Sequence, residues 1–269
     1  MVRSMSENSN HEAPRSGPTT HFGYRKVLES EKGARVRGVF ESVASRYDLM
    51  NDLMSGGVHR LWKAAMIDWL NPRPGQRLAD VAGGTGDIAF RVIERVGAAR
   101  AGPIVVCDLT PEMIARGRDR AIDRGLLPGQ VPAGPQWVCA DAESLPLPDR
   151  SMDAVTIAFG LRNVTRIEQA LSEARRVLKP GGRFLCLEFS RVAVPLLSEL
   201  YDRYSFAVLP ALGQMVTGDR AAYVYLAESI RRFPAQDALA DLMTAAGLDL
   251  VRYRNLSGGI AALHSGWRL

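Results

Sequence analysis

The chain has 269 residues, 46% hydrophobic and 23% charged, enough apolar material for one α/β domain with additions or two small domains built without staples. Its 34 Lys and Arg against 29 Asp and Glu leave a formal charge of +5; no basic run exceeds a pair, so nucleic acid is not indicated, and the mild excess suits solubility or an anionic membrane surface. Cys107, Cys139 and Cys186 form no C-x-x-C pair, which argues against a disulfide framework or a zinc site and reads as reduced core cysteines in a cytoplasmic protein.

No apolar run approaches the roughly 18 residues of a membrane span, and the N-terminus lacks the apolar core of a secretory signal. Residues 1–22 are rich in Ser, Asn, Pro and Gly and read as a disordered tail in which His11 and His21 are solvated side chains. From Arg35 the apolar spacing is helical: Val36, Val39, Phe40, Val43, Ala44, Tyr47. A break at Gly56-Gly57 precedes a second helix, His59 to Leu70, ended by Pro72 and Pro74. Residues 23–74 are therefore expected to form a helical cap. The glycine pair offers a hinge for a lid, and its Met and aromatic content suits an apolar substrate pocket.

Residues 75–269 carry the main domain. Leu78-Ala-Asp-Val-Ala-Gly-Gly-Thr-Gly-Asp87 reads as strand, tight turn and helix, the opening of a nucleotide-binding βαβ unit. Gly84 and Gly86 allow a sharp turn and close approach to a ligand, and the amides at the helix start offer donors. Asp80 and Asp87 flank the loop, so a cationic ligand such as a sulfonium with an amino-acid tail is favoured over a pyrophosphate. The same residues also satisfy the dinucleotide pattern G-x-G-x-x-A, which keeps an NAD-dependent oxidoreductase in play.

Pro103 to Asp108 is a short buried strand ending in an acid about twenty residues beyond Gly86, the spacing at which a carboxylate accepts from a ribose diol. Thr110 and Pro111 open the next helix as N-cap and first helical residue. The strand after Gln136 ends in Asp141-Ala142, placed to meet an adenine amino group. The fourth strand, Ser151 to Phe159, delivers Gly160-Leu-Arg162-Asn163 to the carboxyl edge, where ligands bind in open α/β sheets. A helix stopped by Lys179-Pro-Gly-Gly182 leads into the strand Arg183 to Phe189. Residues 195–217, apolar with interleaved aromatics, read first as core and second as a prenyl or membrane surface. A helix from Ala235 to Ala246 and strands over 248–255 and 260–264 close the chain.

Several of these stretches together resemble the ubiquinone/menaquinone biosynthesis C-methyltransferases. They are Tyr47-Asp-Leu-Met-Asn-Asp-Leu-Met-Ser55, His59-Arg-Leu-Trp-Lys63, Ala82 to Asp87, Phe159-Gly-Leu-Arg-Asn-Val164, Arg176 to Gly182, Leu187-Glu-Phe-Ser190, Tyr225 to Ile230 and Gly258 to His264. The run through Gly182 is common to many methyltransferases; the first and fourth stretches are specific to this family. The resemblance, over about residues 35–266, implies a class I Rossmann-like α/β fold with a seven-stranded sheet, mostly parallel with one antiparallel strand, helices on both faces and an N-terminal helical lid.

It further implies S-adenosyl-L-methionine as cofactor, no metal, and methylation of a ring carbon of a prenylated quinol: 2-polyprenyl-6-methoxy-1,4-benzoquinol, demethylmenaquinol or both. Gly84, Thr85 and Gly86 would hold the methionine part, Asp108 the ribose, and Asp141 with Ala142 the adenine. Arg162 would stabilise a developing phenolate, with Tyr47 and His59 as catalytic candidates from the lid. Asp141 stands where relatives often have Asn, and Ala158 where they often have Ser, which removes any hydroxyl contact there. Peripheral attachment to the inner face of the membrane, and a homo-oligomer or a quinone-biosynthesis complex, are further implications. A non-enzymatic quinone- or lipid-binding protein is the remaining alternative.

Overall fold

The computed structural model describes residues 17–43, 47–126, 134–192, 201, 203–208, 211, 214–215 and 219–269. Thr19–Phe22 (β1) and Arg25–Leu28 (β2) form a hairpin. Three helices follow: Glu29–Val43 (α1), Tyr47–Ser55 (α2) and His59–Leu70 (α3). Residues 19–22, expected in the disordered tail, are a strand. Thr19, Thr20 and Phe22 are good strand formers, and the ring of Phe22 stacks on Tyr225 at 4.1 Å, an anchor far away in sequence. Residues 1–16 lie outside the described residues.

Leu78–Val81 (β3), Ile104–Asp108 (β4), Gln136–Cys139 (β5), Met152–Ala158 (β6) and Leu178–Phe189 (β7) run parallel. Asp249–Leu256 (β8) and Ala261–Arg268 (β9) complete a seven-stranded sheet in the order β5-β4-β3-β6-β7-β9-β8, with β9 antiparallel to both neighbours. The crossovers are helices Asp87–Val96 (α4), Pro111–Asp123 (α5) and Ile167–Val177 (α6), and Arg220–Arg232 (α7) and Gln236–Ala245 (α8) precede β8. This is the mixed sheet expected from the sequence. Two strand ends differ: β7 already starts at Leu178, ahead of the Lys-Pro-Gly-Gly stretch, with a register shift between Met152 and Ala154, and β9 extends to Arg268.

Parallel strands are covered on both faces, so their side chains feed two cores. Leu78, Ile104, Leu185 and Leu187 pack with Trp62, Met66, Phe90 and Tyr223 on one face. Ala79, Val105, Ile157 and Phe184 pack with Leu171, Val177, Leu239 and Met243 on the other. Each large aliphatic or aromatic side chain so buried contributes about 1.5–3 kcal/mol. Cys107 and Cys186 lie in these cores, but Cys139 is exposed, because β5 is an edge strand. Of the apolar stretch 195–217, Tyr201 is buried whereas Val208 and Met215 are exposed; the remainder is mostly outside the described residues.

The strand order reverses between β3 and β6. That reversal opens a crevice at their carboxyl ends, the place where open α/β sheets bind ligands. Among the described residues no helix is long and apolar enough to cross a membrane.

Candidate active site

A cleft occupies that crevice. Its floor is Ala82 and Gly84 after β3, with Phe159 and Gly160 after β6; Asp108, Asp141 and Ala142 form one wall, and Gly33, Val36 and Phe40 of α1 the roof. Ala82 (φ 49°) and Phe159 (φ 59°) are both left-handed without being glycine, a strained backbone that clusters at functional sites. The two turns press together: a Cβ on Gly160 would meet the Cβ of Ala82 at 2.4 Å. Only glycine fits there. Gly84 (φ 55°) lies beneath the cleft, where a Cβ would approach Met113 at 3.0 Å.

Asp108 ends β4 with its carboxylate beside the glycine loop. Its Oδ2 accepts from the Gly84 amide at 2.8 Å and its Oδ1 from Thr110 N at 2.9 Å. Burial raises its carboxyl above the usual carboxylate range, against the pull of those two amides. Each oxygen keeps acceptor capacity toward the cleft. Asp141 lies just past β5, where its Oδ1 accepts from Glu143 N at 2.9 Å in a local turn, and Ala142 is buried beside it. The acids expected to meet ribose and adenine thus share one wall with Gly84.

Thr85 and Gly86 sit differently. The Thr85 hydroxyl accepts from Arg120, and Gly86 faces Trp137; neither borders the cleft. The two acids flanking the loop also divide. Asp87 is held by Lys63 of α3 at 2.8 Å and Arg91 at 3.2 Å. Burial favours its neutral form, but the two cations outweigh that and hold its carboxyl below the usual range. Its charge is committed to tying the cap to the loop. Asp80 is fully buried; Thr156 donates to its Oδ1 at 2.8 Å, and its Oδ2 has no partner among the described residues. Burial pushes its carboxyl up to about 7.

Arg162 does not border the cleft. Its side chain is 1% exposed, and Nη1 donates to Glu188 Oε1 at 2.7 Å and to the Phe159 carbonyl at 2.6 Å. Glu188 also accepts from the Arg162 and Phe189 amides. The next residue, Asn163, does line the cleft, and its Oδ1 accepts from the Tyr225 hydroxyl at 3.0 Å, leaving its Nδ2 donors unclaimed by that bond.

In the cap, His59 is buried and bonded through Nε2 to Asp52 at 2.9 Å, joining α3 to α2. Burial lowers its imidazole below the ordinary value, against the raising effect of Asp52. Tyr47 opens α2; its side chain lies outside the described residues.

The sequence reading expected a helical lid but did not single out Gly33, Val36 and Phe40 as its cleft-facing residues, nor Lys63, Asn163 or Tyr225 as site residues. The Gly33, Val36 and Phe40 spacing (i, i+3, i+7) was the available signal for the roof; nothing local marks Tyr225.

Comparison with known proteins identifies the family. The ubiE/COQ5 methyltransferase family matches residues 27–268. A protein named ubiquinone/menaquinone biosynthesis C-methyltransferase UbiE from Cereibacter sphaeroides is 57% identical, over 93% of this chain and 97% of its own length; its namesake from Paracoccus denitrificans is 58% identical, with the same coverage of both chains. Among solved structures, an S-adenosylmethionine-dependent methyltransferase from Thermotoga maritima aligns with a TM-score of 0.57 at 20% identity, over 87% of this chain and 100% of its own. One from Aquifex aeolicus gives 0.56 at 14%, over 77% and 89%. These last two likenesses concern the fold alone. With one family spanning nearly all of the sequence and relatives identical at more than half their positions, the chain belongs to the ubiE/COQ5 methyltransferase family.

Proposed function

We propose that this protein is an S-adenosyl-L-methionine-dependent C-methyltransferase acting on the ring of a prenylated quinol in ubiquinone and/or menaquinone biosynthesis. The observation that carries this is the convergence of Gly84, Asp108 and Asp141-Ala142 on one cleft at the strand-order reversal, in a chain whose curated relatives are named for that reaction. The cleft suits the cofactor. Asp108 offers acceptors for two ribose hydroxyls, and Asp141 and Ala142 an edge for adenine. Thr85 and Gly86 act by shaping the loop. When bound, the cofactor supplies an electrophilic methyl group.

The chain must hold a ring carbon in line with that methyl and help a ring hydroxyl lose its proton. Asn163 is the polar side chain at the β6 end of the cleft and is suited to hold a ring oxygen. Arg162 acts as a positioning residue: with Glu188 it clamps the Phe159–Asn163 turn and fixes where Asn163 points. Tyr47 and His59 remain cap candidates, His59 through its bond to Asp52. Residues 23–74 serve as the cap and 75–269 as the methyltransferase domain. Reversible attachment to the inner face of the membrane, and assembly with itself or with other quinone-biosynthesis enzymes, belong to the same reading, since the substrate's tail is membrane-soluble.

The test is incubation with methyl-labelled cofactor and each quinol in turn, with product identification. Label on a ring carbon is expected. Label on oxygen, or no label from either quinol, overturns the assignment.

A further inference from the structure

A second cavity lies behind the loop that walls the cofactor cleft. Val164 and Thr165 border both. The second is closed by the β1–β2 hairpin through Thr20 and His21, by Lys32 of α1, by Arg162, and by Ser229 and Arg232 of α7. Among the described residues its lining contains Lys32, Arg162, Arg232 and the imidazole of His21, and no carboxylate.

The state of those cations points to a ligand. Lys32 is 6% exposed, yet among the described residues its Nζ has only the Val164 carbonyl, at 2.8 Å, as hydrogen-bond partner. Arg232 lies over the ring of Tyr24 at 5.7 Å. Among the described residues neither has a carboxylate ion-pair partner. Arg162 does have one in Glu188, but its Nε is buried without a partner. Glu143, the carboxylate that acts on Lys32 most strongly, is already engaged by the amides of Thr165 and Arg166 and by the Arg166 guanidinium. Glu29 also acts on Lys32, though among the described residues it makes no ion pair with it; a buried ammonium without a paired counter-ion is costly, and burial holds Lys32 below its ordinary value. An anion in the cavity would relieve that cost. Thr20 and Thr165 also line the cavity, whereas the Ser229 hydroxyl is spent on the Leu226 carbonyl; a lining of cationic and hydroxyl donors matches a tetrahedral oxyanion.

We propose that this cavity is a binding site for a phosphate-class oxyanion, held chiefly by Lys32 and Arg232. Two sources carry that chemistry: free diphosphate or phosphate, and the headgroup of an anionic phospholipid. The site is separate from the methyl-transfer cleft, and its occupancy is read without any turnover.

Calorimetry on the full chain at constant ionic strength, with inorganic diphosphate and then inorganic phosphate, tests it. Saturable binding at one site is expected, unaffected by saturating S-adenosylhomocysteine. Arg232→Gln and Lys32→Gln should each weaken it by about tenfold or more, the scale of losing a charge-assisted hydrogen bond. Arg252→Gln, on the exposed face of β8, should not. Arg232 is exposed, so its variant remains informative if Lys32→Gln fails to fold. Absence of saturation, equal binding by Arg232→Gln, an equal loss in Arg252→Gln, or competition with S-adenosylhomocysteine would each overturn the proposal.

Vesicles of phosphatidic acid in phosphatidylcholine, against phosphatidylcholine alone, separate the two sources. Binding that is lost in Arg232→Gln and displaced by diphosphate assigns the headgroup. Vesicle binding indifferent to Arg232→Gln, alongside diphosphate binding that does depend on it, assigns the free oxyanion.

Discussion

Three ionisable groups near the cleft behave differently because their partners differ. Asp108 is met by two backbone amides and keeps lone pairs for a ligand. Asp108→Ala should therefore weaken S-adenosylhomocysteine by about tenfold or more in calorimetry, at about 1.5–3 kcal/mol for a charge-assisted bond; unchanged affinity removes it from the site. Arg162 is met by a carboxylate as buried as itself. Arg162→Ala leaves Glu188 charged, buried and alone, so it should cost about 3–5 kcal/mol in denaturant unfolding, and the double change Arg162→Met with Glu188→Leu should recover much of that. A stable Arg162→Ala protein with kcat lowered about a hundredfold would instead make the guanidinium a direct phenolate donor. Asp80 is met by one hydroxyl, and its folded value near 7 exceeds the ordinary 3.8. The unfolded chain ionises first, so the stability this group allows is complete below about pH 4, is lost as pH rises toward 7, and changes no further above that. Asp80→Asn lacks this loss. Its unfolding free energy relative to the parent should rise by up to about 1.4 kcal/mol per pH unit across that window; a flat difference would show that Asp80 ionises normally.

Helix α1 makes the cleft a cavity rather than a groove, and Gly33 is the thinnest point of its roof. A Cβ there would reach Leu109 only at 3.8 Å, so a larger side chain is admitted by extending into the cleft. Gly33→Trp should leave the fold intact, since almost any residue improves on glycine within a helix, while S-adenosylhomocysteine affinity falls steeply in calorimetry. Undiminished affinity would place the cofactor away from α1. How much of this was legible in the sequence follows from the range of the interactions. The βαβ opening, the acid at the end of β4 and the Asp141-Ala142 corner are written in contiguous runs, and they stand where periodicity puts them. The β1–β2 hairpin was not legible, because it is held by Phe22 on Tyr225 and by Tyr24 N on Glu228, partners some two hundred residues away. The partner of Asp87 was not legible either, since Lys63 comes from the cap. Arg162 was placed on the correct loop, but its partner Glu188 sits on the neighbouring strand, a pairing only the sheet order reveals.

Surface and substrate pose a joint problem for the molecule as a whole. A prenylated quinol dissolves in the bilayer, yet among the described residues no helix crosses one, so under the proposed function the protein must meet its substrate from the side. The formal charge of +5 favours an anionic surface, and the exposed Leu61, Val208 and Met215, at 69%, 43% and 82%, are apolar enough to enter the headgroup layer. Binding should therefore be weak, reversible and salt-sensitive. In flotation assays the protein should rise with anionic vesicles at low salt and be released as ionic strength approaches physiological values and the screening length shortens to about 8 Å. Val208→Glu with Met215→Glu should reduce flotation by about tenfold or more, and should raise KM for a long-tailed quinol in vesicles while leaving turnover of a short-tailed, water-soluble quinol unchanged. Equal loss on both substrates would mean that the two substitutions damage the fold. Flotation unaffected by the pair, or by salt, would locate the membrane contact elsewhere on the surface.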